Sequence, residues 1–183
     1  NEWLMESLIM LDAAKRASAK RITVVAPYYP YSRQDKKGRG REPISGRLVA
    51  DLWKAAGADR IMSVDLHAAQ IQGFFDGPVD HLFAKPVLLE YFERTLSAED
   101  RADLTVVSPD TGRVRVADTW SDSLGAPLAI IHKRRDPNVA NQITVNEIVG
   151  HVDGRVCLLV DDMIDTGGTI VKAAQALKKS GAK

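Results

Sequence analysis

Cysteine and surplus charge are both scarce in this chain of 183 residues. A single cysteine, Cys157, excludes a disulfide within the chain and suits a reducing, cytoplasmic setting. Its place in an apolar run marks it as a core residue rather than a reactive thiol. Lysine and arginine total 25 against 24 acidic residues, a net charge of +1, so the basic excess expected of a nucleic-acid or membrane-surface binder is missing. There is no run of about 18 apolar residues and nothing that reads as a signal peptide. No G-x-x-x-x-G-K-[ST] occurs, so any use of ATP is not P-loop chemistry; zinc-type Cys/His spacing and a G-x-S-x-G elbow are missing as well. With 45% hydrophobic and 27% charged residues, the composition is otherwise that of a globular protein with a real core. The chain opens without Met and closes in helix-forming sequence, so the expectation is a piece of a longer protein.

Residues 156–169, V-C-L-L-V-D-D-M-I-D-T-G-G-T, carry the most information. The apolar run 156–160 is expected to be a buried strand. It ends in the adjacent carboxylates Asp161 and Asp162, followed by Asp165 and the turn Thr166, Gly167, Gly168, Thr169. A helix-forming sequence, 170–179, follows at once. A strand, Gly-rich turn and helix in this order make an anion cradle, because the first N–H groups of the helix have no acceptor within it. The glycines let backbone approach the ligand, and the threonine hydroxyls add donors. Neighbouring carboxylates suit sugar hydroxyls or a divalent cation. The segment therefore reads as a sugar-phosphate site.

Further strand candidates lie at 22–26, 60–64, 104–107 and 128–131, with helical patterns at 3–18, 43–56, 84–96 and 114–124 between or before them. This alternation predicts an α/β fold with parallel sheets flanked by helices. In such sheets ligands gather at the carboxyl ends of the strands, which is where the chemically loaded residues fall. The turn-rich Gly77-Pro78-Val79-Asp80 is the expected domain boundary, dividing the chain into 1–80 and 81–183.

Four more strand ends carry polar clusters. Residues 31–41, Y-S-R-Q-D-K-K-G-R-G-R, hold five basic residues against one acid. They read either as a solvated loop or as a site for a polyanion such as ATP, with Arg33 and Gln34 suited to phosphate or nucleobase. At Asp65-Leu66-His67 the imidazole of His67 is either a polar group at the sheet rim or a contact for phosphate or a metal's outer shell. Ser108-Pro109-Asp110-Thr111-Gly112 is either an Asx turn or the diphosphate side of the site, with Arg113 and Arg115 adding positive charge. Lys133-Arg134-Arg135 begins a polar stretch without periodicity that runs to about residue 146. It reads as a surface loop or as a lid whose cations meet developing phosphoryl charge.

Taken together, the strings R-Q-D-K-K, D-L-H-A-A-Q-I-Q-G-F-F (65–75), V-S-P-D-T-G (107–112), the Lys133-Arg134-Arg135 segment and 160–169 resemble the ribose-phosphate diphosphokinase family over nearly the whole chain. The resemblance implies two type I phosphoribosyltransferase-like domains, each incomplete here. Residues 1–80 would be the C-terminal part of the first, and 81–183 the N-terminal part of the second. It implies transfer of the β,γ-diphosphoryl group of ATP to the 1-hydroxyl of ribose 5-phosphate, with Mg²⁺ as cofactor, in a cytoplasmic homo-oligomer, a hexamer built from dimers. By the same matching, Arg33, Gln34 and His67 bind ATP, and His67 with Asp110 serves the metal. Asp110, Thr111, Gly112 and Arg113 form the diphosphate loop. Asp161, Asp162, Asp165, Thr166, Gly167, Gly168 and Thr169 bind ribose 5-phosphate, while Lys133 and Arg135 are the catalytic cations. Arg113 departs from the commonest family pattern, which has a second glycine there.

The sugar hydroxyl would attack the β-phosphorus in line as AMP leaves, with positioning and fixed charge supplying most of the catalysis. The rival readings are a plain type I phosphoribosyltransferase, which would share 156–169 but not the R-Q-D-K-K string, and a non-catalytic regulatory homologue, which would lack Lys133 and Arg135.

Overall fold

The computed structural model describes residues 2–134 and 145–183, with side chains throughout except at 133, 134, 145 and 146. The chain divides into two compact units, Asn1–Ala84 and Lys85–Lys183.

The first unit runs α1 (Glu2–Arg16), β1 (Thr23–Ala26), α2 (Ser45–Ala56), β2 (Arg60–Val64), a 3-10 segment (Ala69–Phe74) and β3 (Val79–Leu82). Its three strands lie in the order β1-β2-β3, all parallel, with Val24 beside Ile61 and Ile61 beside Val79. Helix α2 forms the crossover from β1 to β2, as parallel neighbours require. Its buried residues Gly46, Val49, Ala50 and Trp53 recur at helical spacing and make one stripe that faces the core. Trp53 is only 2% exposed. Its indole N–H donates to Ser7 Oγ at 2.9 Å, and its ring meets Tyr29 edge-on at 5.3 Å, so α1, α2 and the chain leaving β1 share one anchor.

The second unit runs α3 (Lys85–Thr95), α4 (Ala98–Ala102), β4 (Leu104–Ser108), a 3-10 turn (Thr111–Arg113), α5 (Val114–Leu124), β5 (Leu128–Arg134), β6 (Val145–Val149), β7 (Val156–Leu159) and α6 (Gly168–Lys179). The strand order is β6-β5-β4-β7, parallel except for the antiparallel β5–β6 pair. Strand β4 is buried along its length because helices cover both faces. Leu104 and Val106 pack with Ala117 and Trp120 of α5 and with Leu89 and Phe92 of α3. Val107, the residue after Val106, packs on the opposite face with Ala173 and Leu177 of α6.

The expected α/β class with parallel sheets and flanking helices is the observed one, and α5 and β2 keep the expected bounds. Three expectations change. Gly77-Pro78 is not the end of a unit but the turn into β3, whose Val79–Leu82 pairs with β2. The run 156–160 is not a fully buried strand. Among the described residues β7 pairs only with β4, at the sheet edge, and every one of its residues is half-buried. Apolar content alone does not say which strand will be central. The polar stretch expected from 133 onward is strand at both ends, since β5 continues through Arg134, with Lys133 opposite Asn146 and Arg134 opposite Val145 in the β5–β6 ladder. Arg135, named above as a catalytic cation, lies outside the described residues.

Candidate functional site

In the second unit the loops after β4 and β7 come together, because these strands are direct neighbours in the sheet. Strand β4 delivers Ser108, whose hydroxyl donates to the Asp110 carbonyl at 2.7 Å and turns the chain sharply. Asp110 caps the 3-10 turn: its Oδ1 accepts the Gly112 N–H at 2.9 Å, an Asx turn by geometry. The turn aims Arg113 at the end of β7. There its Nη2 lies 2.9 Å from Asp162 Oδ2, and its Nε 3.6 Å from Asp161 Oδ1. These side chains are 12% (Arg113), 14% (Asp161) and 9% (Asp162) exposed, so the ion pairs are largely withdrawn from water.

Burial, reinforced by the hydrogen bond and negative charge of Asp162, pushes the Asp161 carboxyl up to about 6. The Asp162 N–H, which donates to Asp161 Oδ1 at 2.9 Å, and the Arg113 charge pull the other way. Beyond the acidic pair, the chain passes through exposed Asp165 and Thr166 to Gly167, whose φ of 77° is a left-handed conformation that favours glycine. Helix α6 starts at Gly168 with no side chain capping it. Its first-turn N–H groups have no acceptor within the helix, and Gly168 and Thr169 are exposed, the chemistry an anion cradle requires.

In the first unit the chain leaving β1 wraps the start of α2. The Gly46 N–H donates to the Gln34 carbonyl at 3.1 Å, and the Tyr29 hydroxyl donates to the Gly46 carbonyl at 2.8 Å. A Cβ on residue 46 would stand 3.3 Å from the Gln34 oxygen and 3.4 Å from that of Tyr31, so glycine permits the close approach. Asp35, the one acid of the basic string, is buried and accepts from Gln70 Nε2 at 2.6 Å. This bond ties R-Q-D-K-K to the D-L-H-A-A-Q string. Arg33 and Gln34 stay exposed and, with Tyr28, Pro30 and Tyr31, line an open concavity of about 460 Å³.

The turn carrying His67 is held by β3. The Leu66 N–H donates to His81 Nε2 at 3.0 Å, and Asp65, at φ 46°, accepts the Ala84 N–H at 3.2 Å. Accepting that bond requires a neutral His81, and burial holds its imidazole below the ordinary histidine range, opposed by the charge of Asp65. His67 itself is half-buried at the strand end.

The structure thus groups Asp110, Thr111, Gly112, Arg113, Asp161 and Asp162 around one pair of strand ends, with Asp165, Thr166, Gly167, Gly168 and Thr169 following. Arg33 and Gln34 share the concavity of the first unit. Sequence reasoning missed Gln70 and His81 as supports and did not foresee that Arg113 meets the acidic pair. A lone acid inside a basic run was the available signal for Asp35.

Residues 88–183, more than half of the chain, match the phosphoribosyl transferase domain, and residues 1–57 match the N-terminal domain of ribose phosphate pyrophosphokinase. The chain is similar to a ribose-phosphate pyrophosphokinase of Streptomyces coelicolor, at 69% identity over 183 residues, covering 100% of this chain and 56% of that protein. It is likewise 62% identical to one of Mycobacterium tuberculosis, covering 55% of it. The crystal structure of phosphoribosylpyrophosphate synthetase from Mycobacterium smegmatis matches with a TM-score of 0.91 and 62% identity, over 100% of this chain and 58% of that one. The chain belongs to the phosphoribosyl transferase domain family, and its first 57 residues are similar to the N-terminal domain of ribose phosphate pyrophosphokinase. It spans little more than half the length of the relatives it matches.

Proposed function

We propose that the protein carrying this chain transfers the diphosphoryl group of ATP to the 1-hydroxyl of ribose 5-phosphate, giving 5-phosphoribosyl 1-diphosphate and AMP. The bond from Gln70 to buried Asp35 supports this reading most strongly. It builds the R-Q-D-K-K and D-L-H-A-A-Q strings into one support beside an exposed Arg33-Gln34 pair. A phosphoribosyltransferase that only consumes the diphosphate has no need of a second nucleotide site.

On this reading the first unit is the C-terminal part of one phosphoribosyltransferase-like domain and the second unit the N-terminal part of another. Arg33 and Gln34 grip ATP with His67. The start of α6, through Thr166, Gly167, Gly168 and Thr169, takes the 5-phosphate of the sugar, as a helix N-terminus favours. Asp161, Asp162 and Asp165 accept the sugar hydroxyls. Asp110, Thr111, Gly112 and Arg113 border the diphosphate, and Lys133 and Arg135 stabilise charge on the phosphoryl group in flight.

Among the described residues no three His, Cys, Asp or Glu side chains converge into a metal cage. The cofactor we propose is Mg²⁺, which takes one or two protein groups and completes its octahedron with phosphate oxygens and water. Asp110 is the candidate metal-binding group of the second unit and His67 that of the first, and a bound ion would neutralise phosphate charge. We further propose a cytoplasmic homo-oligomer, a hexamer built from dimers, without nucleic-acid or membrane partners. No helix among the described residues is long and apolar enough to cross a membrane.

AMP release from ATP, with and without ribose 5-phosphate, tests the reading. AMP formation that depends on the sugar phosphate is expected. ATP left intact by the full-length protein, or release of diphosphate from 5-phosphoribosyl 1-diphosphate on addition of a base, would overturn it.

A further inference from the structure

We propose that Arg113 is a positioning residue for the sugar-binding carboxylates: reaching from the turn after β4, its guanidinium holds Asp161 and Asp162 ionised and in place to accept the ribose hydroxyls. The inference rests on the assignment of those carboxylates to ribose 5-phosphate and adds the group that keeps them usable.

The geometry is specific. One planar cation spans two adjacent carboxylates, 2.9 Å from Asp162 and 3.6 Å from Asp161. It does so across two loops whose strands are paired neighbours. A guanidinium fork suits this task, because it meets two acceptors at once and stays charged at all working pH. Adjacent carboxylates, each no more than 14% exposed, repel one another and lose hydration. Among the described residues, the charges bearing on Asp161 are those of Asp162 and Arg113. With Arg113 in place Asp161 already sits at about 6, so little margin exists at neutral pH. A protonated carboxyl gives up acceptor capacity, and the ribose hydroxyls need acceptors. Arg113 is therefore committed to the acidic pair rather than pointed only at a diphosphate, and the departure from glycine at this position supplies a charge that glycine would not.

The test compares wild type, Arg113→Ala and Arg113→Lys. Titration calorimetry with ribose 5-phosphate and, separately, inorganic diphosphate is run between pH 6 and 8.5, and the aspartate carboxyl ¹³C shifts are followed by NMR. Arg113→Ala should weaken ribose 5-phosphate binding by roughly 10- to 100-fold at neutral pH, the effect of losing a charge-assisted contact. The loss should shrink as pH rises and Asp161 ionises unaided, and Arg113→Lys should recover part of it, since lysine supplies the charge without the fork. Diphosphate affinity should change much less. The Asp161 carboxyl midpoint should rise by roughly one unit or more in Arg113→Ala. Equal sugar-phosphate affinity in the two proteins, a loss independent of pH, or a selective loss for diphosphate overturns the proposal. If wild type binds no ribose 5-phosphate, the assignment of the sugar site fails, and the carboxyl titration decides the role of Arg113: an unmoved midpoint refutes it.

Discussion

Replacing Asp161 by asparagine should stabilise the protein at pH 8 and leave it nearly unchanged at pH 4. Burial against Asp162 raises the Asp161 carboxyl from an ordinary 3.8 to about 6. The folded state therefore holds the proton more tightly than the unfolded chain does. The stability this group contributes is complete below about pH 4 and is lost as pH rises through 6, where the folded protein must carry a buried charge. A shift of about two units at 1.36 kcal/mol each sets a ceiling of about 3 kcal/mol. Asparagine also gives up the charge that meets Arg113, so about 1–2 kcal/mol is expected for the single substitution. Asparagine keeps the shape of the neutral carboxyl and remains neutral at every pH. The assay is urea denaturation at pH 4, 6 and 8, followed by fluorescence, to which Trp120, packed against Phe92 at 6.2 Å in the second unit, contributes. The variant's advantage should grow from pH 4 to pH 8. A difference that is flat with pH, or that favours the variant most in acid, would refute the account of a strained acidic pair.

Arg33→Ala should raise the KM for ATP while nearly sparing that for ribose 5-phosphate; a normal ATP KM returns residues 31–41 to solvated surface. Lys133→Ala should lower kcat and kcat/KM together by ~10² or more with little change in KM, the mark of a transition-state contact, whereas intact kcat with raised KM would disprove that role. Gly150→Ala should destabilise the protein by about 2 kcal/mol or more, as read by thermal melting: φ is +117° there, and a Cβ would lie 2.8 Å from the Ala129 Cα. An unchanged melting temperature would show that the strand β5 backbone yields freely.

Much of this protein is legible in its sequence because local chemistry dictates it. The pattern at 114–124 fixes α5 by its apolar spacing. The T-G-G-T turn requires a left-handed residue before a helix, and Gly167 takes that conformation. Strand ends followed by polar clusters mark where ligands are to be met, since an α/β sheet exposes its strand termini there. The motif strings likewise carry the resemblance to ribose-phosphate diphosphokinases, because each is a short contiguous run. Other features depend on residues far apart in the chain. Strand β3 is four residues with two polar ones, V-D-H-L, and exists because β2 offers it a parallel edge. The ends of the polar stretch after residue 132 are strand because β5 and β6 pair in antiparallel register. Asp35 is buried, and the donor that satisfies it, Gln70, lies thirty-five residues on. Arg113 reads as an irregularity in a glycine-rich turn until β4 and β7 are seen to be neighbours, which places its guanidinium on Asp161 and Asp162. Periodicity and turn chemistry act within a few residues and are written in the sequence. Strand order, burial and charge pairing are set by which surfaces meet when the sheet closes, and only the tertiary structure decides them.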